Sequence, residues 1–233
     1  LNVWQQQQFD RSRQPQSAGR VLVVERMWFN AANSSTWYLV PGLIALIMTL
    51  VGAFLTSLVL AREWERGTLE SLFVTPVRSI EILLAKIIPY FLVGLLGLVM
   101  CLVSARLLFE VPIQGSLVLL LLSSMLYLLV TLGIGLLISA KTRNQFLASQ
   151  IAIIFSFLPA LMLSGFLFDL RNVPTFIRVV GSILPATYFM ELVKTLFLAG
   201  NNWPLIAKNL AILAAYAVFL LNAARLCTRK KLD

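Results

Sequence analysis

Five long apolar runs decide what this chain can fold into: residues 39–60, 81–105, 116–140, 145–168 and 203–225. A helix needs roughly 20 predominantly apolar residues to cross the hydrocarbon of a bilayer, and each run supplies them. Backbone N–H and C=O groups in lipid have no water to bond, so runs of this length must satisfy them internally, as helices. Strands of a membrane barrel would alternate apolar and polar residues, and these runs do not. Nor could the remainder coat such surface for water, because 59% of the chain is hydrophobic and only 12% charged, with a mean hydropathy of +0.88. The expected fold class is all-α, a polytopic helical membrane protein with five transmembrane helices in this chain.

Charge gives these spans a direction. Lys and Arg gather on the cytoplasmic side of membrane proteins, which accounts for a net charge of +9 without any nucleic-acid partner. With five spans, Arg225, Arg229, Lys230 and Lys231 fall on the same face as Lys141 and Arg143, and as Arg62, Arg66, Arg78 and Lys86. The opposite face has Arg106, Arg171, Arg178, Lys194 and Lys208. The first face is therefore expected to be cytoplasmic, together with the C-terminus. Residues 1–38, with a short strand expected at 21–24, then read as an extracytoplasmic connector, and residues 39–233 as the membrane domain. An outside N-terminal segment without a span of its own is expected to follow an upstream span in a longer protein.

Between the first two runs lies the densest charge, in residues 62–78. Charge at that density has to leave the hydrocarbon. Leu69, Leu72 and Phe73 share one helical face, with Glu63, Glu65, Arg66 and Glu70 mostly on others, and Thr75-Pro76 stops the pattern. The expected form is a short amphipathic helix on the cytoplasmic surface, with Gly67 permitting a bend. After the fourth run, residues 169–202 are too polar and too broken by proline to cross simply. Two short amphipathic helices, around Pro174 and over 184–194, are expected on the outer face or dipping into it, before an exit turn at Gly200-Asn201-Asn202. Within the spans, Pro89 marks a kink. Gly94, Gly97, Ser123, Ser124, Thr131, Gly133 and Gly135 are small enough for close helix approach.

Chemistry is hard to find here. The chain has no His, no phosphate loop, no nucleophile elbow and no metal-spaced Cys set, and Cys101 and Cys227 are placed too differently for a structural disulfide. The polar residues noted inside the spans are Ser, Thr and Gln150, so no carboxylate or His is available to a proton or ion relay. A solute carrier built this way would have to draw its energy from a partner, and the charged segment is the natural place to receive it.

The residues also resemble a family. Arg62-Glu63-Trp64-Glu65-Arg66-Gly67-Thr68-Leu69-Glu70, followed by Thr75-Pro76-Val77, is similar to the cytoplasmic segment of the type-2 ABC transporter permeases, where the pattern is R-E-x-E-x-G-T-x-E leading to T-P. Tyr38-Leu39-Val40-Pro41-Gly42 resembles that family's entry to its second span, and Leu184-Pro185-Ala186-Thr187-Tyr188-Phe189 resembles its P-x-x-Y-F signature. The resemblance implies six spans per permease, of which this chain carries the last five, in a bacterial inner membrane. It implies that a cytoplasmic ABC ATPase subunit packs against Arg62, Glu63, Glu65, Arg66, Gly67, Thr68, Glu70, Thr75 and Pro76. It implies a second permease subunit, identical or not, and an extracytoplasmic lid around Pro174, Pro185, Tyr188 and Phe189. No cofactor is expected on this chain, since ATP and Mg²⁺ would be used by the ATPase, and the chain itself would not be an enzyme. Membrane lipid is the remaining expected partner. A non-transporting anchor subunit and an ion-coupled carrier are the alternatives.

Overall fold

The computed structural model describes residues 35–68, 79–166 and 174–227. The strand at 21–24, the amphipathic helix from residue 69 onward with Glu70, Thr75 and Pro76, and the basic tail at 229–231 lie outside them. Among the described residues every regular element is helical. Five helices are long and apolar enough to cross a membrane: α1 (Thr36–Glu65), α2 (Ser79–Leu107), α3 (Leu117–Thr142), α4 (Gln145–Leu163) and α7 (Trp203–Cys227). Between α4 and α7 come α5 (Thr175–Ile183) and α6 (Pro185–Ala199), bent by 88° against each other at Leu184, whose extended backbone interrupts the helix. Pro185 supports the restart, because its missing N–H falls where a helix has no partner for one.

Helix α3 is the centre of the bundle, packed between α1 and α7. Its buried residues run from Leu120 to Ser139 and include Ser123, Ser124, Thr131, Gly133 and Gly135, the small residues that permit close approach where no hydrophobic effect drives helices together. A Cβ on Gly52 of α1 would overlap Thr131 Oγ1 and lie 2.6 Å from Thr131 Cβ. On the other side of the crossing, a Cβ on Gly135 would overlap Thr56 Oγ1 and lie 2.5 Å from the Ala53 carbonyl oxygen. Near the charged end the Ala61 N–H donates to Ser139 Oγ at 2.8 Å. The buried hydroxyls of Thr49, Thr56, Ser123 and Ser124 each donate to a carbonyl one turn back, at 2.5–2.9 Å, so none is left unbonded in an apolar setting.

Helix α2 packs more loosely. Leu84, Ile88, Leu92, Leu96, Met100, Val103 and Leu107 form an exposed apolar stripe along its length, as expected of a helix that meets lipid or another apolar helix. Three spans or hairpin arms contain a widened, π-type turn: Leu50–Phe54 in α1, Ile153–Phe157 in α4 and Thr195–Ala199 in α6. The first two pack against each other. Such turns open one backbone hydrogen bond's worth of slack and recur at functional sites.

Candidate functional site

At about 1.5 Å per residue a 30-residue helix is about 45 Å long, more than a hydrocarbon core of about 30 Å needs, so α1 must project beyond it. The sequence reading ended the span near residue 60 and placed Arg62, Glu63 and Glu65 in a separate helix. Instead α1 continues through them to Glu65, because nothing between Leu60 and Gly67 breaks a helix. Gly67 then takes φ +67°, a backbone that suits glycine and ends the helix, and Thr68 Oγ1 donates to the Glu63 carbonyl at 3.3 Å.

The projecting turns grip three other helices. Glu65 accepts the backbone N–H of Gln145 at 2.9 Å through Oε1, and the Gln145 side-chain amide through Oε2. Gln145 is the first residue of α4, so the carboxylate sits at the positive end of that helix and satisfies an N–H left without an intrahelical partner. Arg62 Nε donates to Gln145 Oε1 at 3.3 Å. The α3–α4 turn is itself fixed: Arg143 adopts φ +53°, its guanidinium lies 4.2 Å from the Trp64 ring centroid, and Asn144 caps α4 by accepting from Leu147 N–H at 3.0 Å. Toward α2, Glu63 Oε1 pairs with Lys86 Nζ, while Glu63 Oε2 is buried with no hydrogen-bond partner among the described residues. Of the segment singled out from sequence, Arg62, Glu63, Glu65, Arg66, Gly67 and Thr68 thus come together at one end of the bundle.

The other end carries the bent pair α5–α6. Pro174 precedes the first turn of α5, Pro185 opens α6, and Tyr188 Oη donates to the Ser182 carbonyl at 2.7 Å, fastening the two arms. Phe189 does not face outward. It is fully buried and stacks on Tyr127 of α3, ring centroids 4.1 Å apart and planes 11° apart. Tyr127 Oη lies 2.6 Å from Thr49 Oγ1; since Thr49 donates to the Ala45 carbonyl, Tyr127 is the donor of that pair. Helix α6 therefore sinks into the bundle between α1, α3 and α7. Lys194 holds it to the end of α4 by donating to the Gly165 carbonyl at 2.7 Å, with its ammonium 3.7 Å from the Tyr38 ring centroid.

One residue there escaped the sequence reading. Asn209 of α7 is 1% exposed and donates through Nδ2 to Glu191 Oε2 at 2.9 Å, joining α7 to the re-entrant arm. The only sequence signal was an amide inside an apolar run, with nothing to name its partner. Removing that partner strands a buried amide, which costs about 1–3 kcal/mol, whereas removing both groups is close to neutral. Glu191→Ala is expected to lower the melting temperature in detergent, and Asn209→Leu added to it to restore most of the loss. A double variant less stable than Glu191→Ala would refute the pairing.

Known proteins give the arrangement a context. Residues 5–226 match the family profile described as ABC-2 family transporter protein. The chain is 45% identical, over 99% of its length, to a probable multidrug ABC transporter permease of Escherichia coli K12, YbhS, and covers 62% of that protein. It is 32% identical to the probable multidrug permease YbhR of the same strain, over 84% of this chain and 56% of the relative. An inner membrane transport permease, YhhJ, is 31% identical over 82% of this chain and 52% of the relative.

Proposed function

This chain belongs to the ABC-2 transporter family, and we propose that it supplies the membrane-spanning permease part of an ATP-driven exporter of the bacterial inner membrane. The observation that carries the reading is the grip of the charged end: through Glu65 on Gln145 and Glu63 on Lys86, one segment of α1 is bonded to both α2 and α4. Catalytic chemistry and nucleotide would belong to a cytoplasmic ABC ATPase subunit that docks on the segment from Arg62 to Pro76, which would make the charged end and the C-terminus cytoplasmic. ATP-driven displacement of that segment would swing the inner part of α1, Leu55–Glu65, together with the start of α4, Gln145–Ala152. The packed π-type turns just beyond each are the pivot. Outside, α5 and α6 would act as the lid, with Phe189 as its anchor in the bundle. A second permease subunit would complete the pathway. The cargo class follows the relatives' printed names, two of which read multidrug.

The test is to express the full-length permease with its candidate ATPase, co-purify the pair and reconstitute it in proteoliposomes. ATP-dependent movement of a lipophilic dye that survives collapse of the proton gradient is the expected result. ATP hydrolysis without movement of any cargo in a panel would point to an anchor subunit, and loss of transport with the gradient, ATP intact, to an ion-coupled carrier. Either outcome overturns the exporter reading.

A further inference from the structure

Between α1 and α2, beside the grip just described, opens a crevice of about 710 Å³. Its deeper walls are apolar, formed by Leu55, Leu58 and Val59 of α1 and by Ala85, Pro89 and Val93 of α2. Its rim is charged: Arg62, Arg66 and Lys86 stand around a single carboxylate, Glu63. From Leu55 to Arg66 is eleven residues of helix, about 16 Å at about 1.5 Å per residue, so the crevice runs from the membrane surface well into the hydrocarbon.

We propose that this crevice is a binding site for one anionic glycerophospholipid, its phosphate on Arg62 and Arg66 and its acyl chains along Leu55, Leu58 and Val93. Guanidinium groups match the geometry of phosphate oxygens and hold them through charge-assisted hydrogen bonds. Arg62 uses only Nε on Gln145 and also lines the crevice, so its terminal amino groups remain as donors for a phosphate. Arg66 makes no ion pair among the described residues, while Lys86 is already engaged by Glu63. Three cations against one carboxylate select an anionic headgroup, since a choline or ethanolamine headgroup would add its own cation to the rim. The apolar depth selects a lipid: free phosphate or a nucleotide would leave those walls against water. Lipid seated here would wedge between α1 and α2.

Native mass spectrometry of the full-length permease released from nanodiscs reads the site directly. With phosphatidylglycerol nanodiscs, one lipid per chain is expected to survive activation. With phosphatidylcholine, none should. Arg66→Ala, alone and with Arg62→Ala, should cut the retained lipid by about tenfold or more, the loss expected for a charge-assisted bond. Leu58→Trp should displace the lipid with every rim charge in place, while Arg106→Ala, at the far end of α2, should leave retention unchanged. Variants are first checked for a single gel-filtration peak, and melting temperature in phosphatidylglycerol against phosphatidylcholine nanodiscs gives a second readout. Equal retention of both lipids, equal retention by wild type and the double Arg variant, or displacement by inorganic phosphate would each overturn the proposal. Lipid occupancy is read without transport or ATPase activity, so its failure and failure of the exporter reading are separate results.

Discussion

Glu65→Arg is expected to cut export severely while the ATPase partner continues to hydrolyse ATP. In the native arrangement both oxygens of this carboxylate are used on one residue, Gln145, whose backbone N–H and side-chain amide converge on it. The substitution replaces an acceptor with a cation at the positive end of α4, beside Arg62 and near Arg143. Attraction becomes repulsion, and α1 no longer carries the start of α4 when it moves. Export in proteoliposomes should fall by roughly tenfold or more, since two charge-assisted hydrogen bonds are lost and a like-charge contact is gained. Hydrolysis and membrane abundance should stay within about a factor of two of wild type, because an exposed carboxylate contributes little to stability. Glu65→Gln keeps one acceptor and should fall between the two. Gln145→Ala removes the side-chain half of the clamp and leaves the backbone half, so it should also be intermediate. Wild-type export by Glu65→Arg would remove the clamp from the mechanism, and a variant missing from the membrane would make Glu65 a folding residue.

Sequence made the spans legible because their constraint is nearly one-dimensional. Bilayer thickness sets a length, and five runs had it; the helices begin and end within a few residues of those runs. The end of α1 shows where that logic stops. Charge marks where a span leaves the hydrocarbon, but a helix ends only where its backbone is broken, here at Gly67. The site was half visible. The charged segment announced itself, yet its partner Gln145 lies 80 positions away and looks like any polar residue at the start of a span. The family resemblance implies an extracytoplasmic lid around Phe189, and local amphipathicity puts its helix on the outer face or dipping into it. The aromatic face of Tyr127, held by Thr49, draws it inside, and no local pattern encodes a pairing between α6 and α3. Asn209 was passed over for the same reason: a lone amide in an apolar run acquires meaning only when Glu191 is beside it.

Gly135→Leu is expected to prevent the bundle from assembling, an effect larger than any at the charged end. A Cβ at Gly135 would overlap Thr56 Oγ1, which a rotamer change could relieve, but it would also lie 2.5 Å from the Ala53 carbonyl oxygen and 3.0 Å from the Ser57 nitrogen. Those two atoms belong to the α1 backbone and cannot turn aside. Accommodating even one methyl group means separating α1 from α3, which pulls Gly52 off Thr131 and weakens the Ala61–Ser139 hydrogen bond. Overpacking of this kind typically costs about 1–3 kcal/mol and more where backbone blocks relief, so Gly135→Ala should already lower the melting temperature by several degrees. Leucine, with three further carbons, should leave little folded permease to extract. Gly97 provides the contrast within the same protein. A Cβ there would meet nothing within 4 Å, so Gly97→Ala should be neutral or stabilising by up to about 1 kcal/mol through helix propensity alone. Thr56→Ala combined with Gly135→Ala should recover only part of the loss, because the Ala53 carbonyl remains in the way. A Gly135→Ala variant that melts with the wild type would show that α1 and α3 do not cross as closely as their backbones are placed, and the Glu65–Gln145 clamp would lose the fixed crossing against which it works.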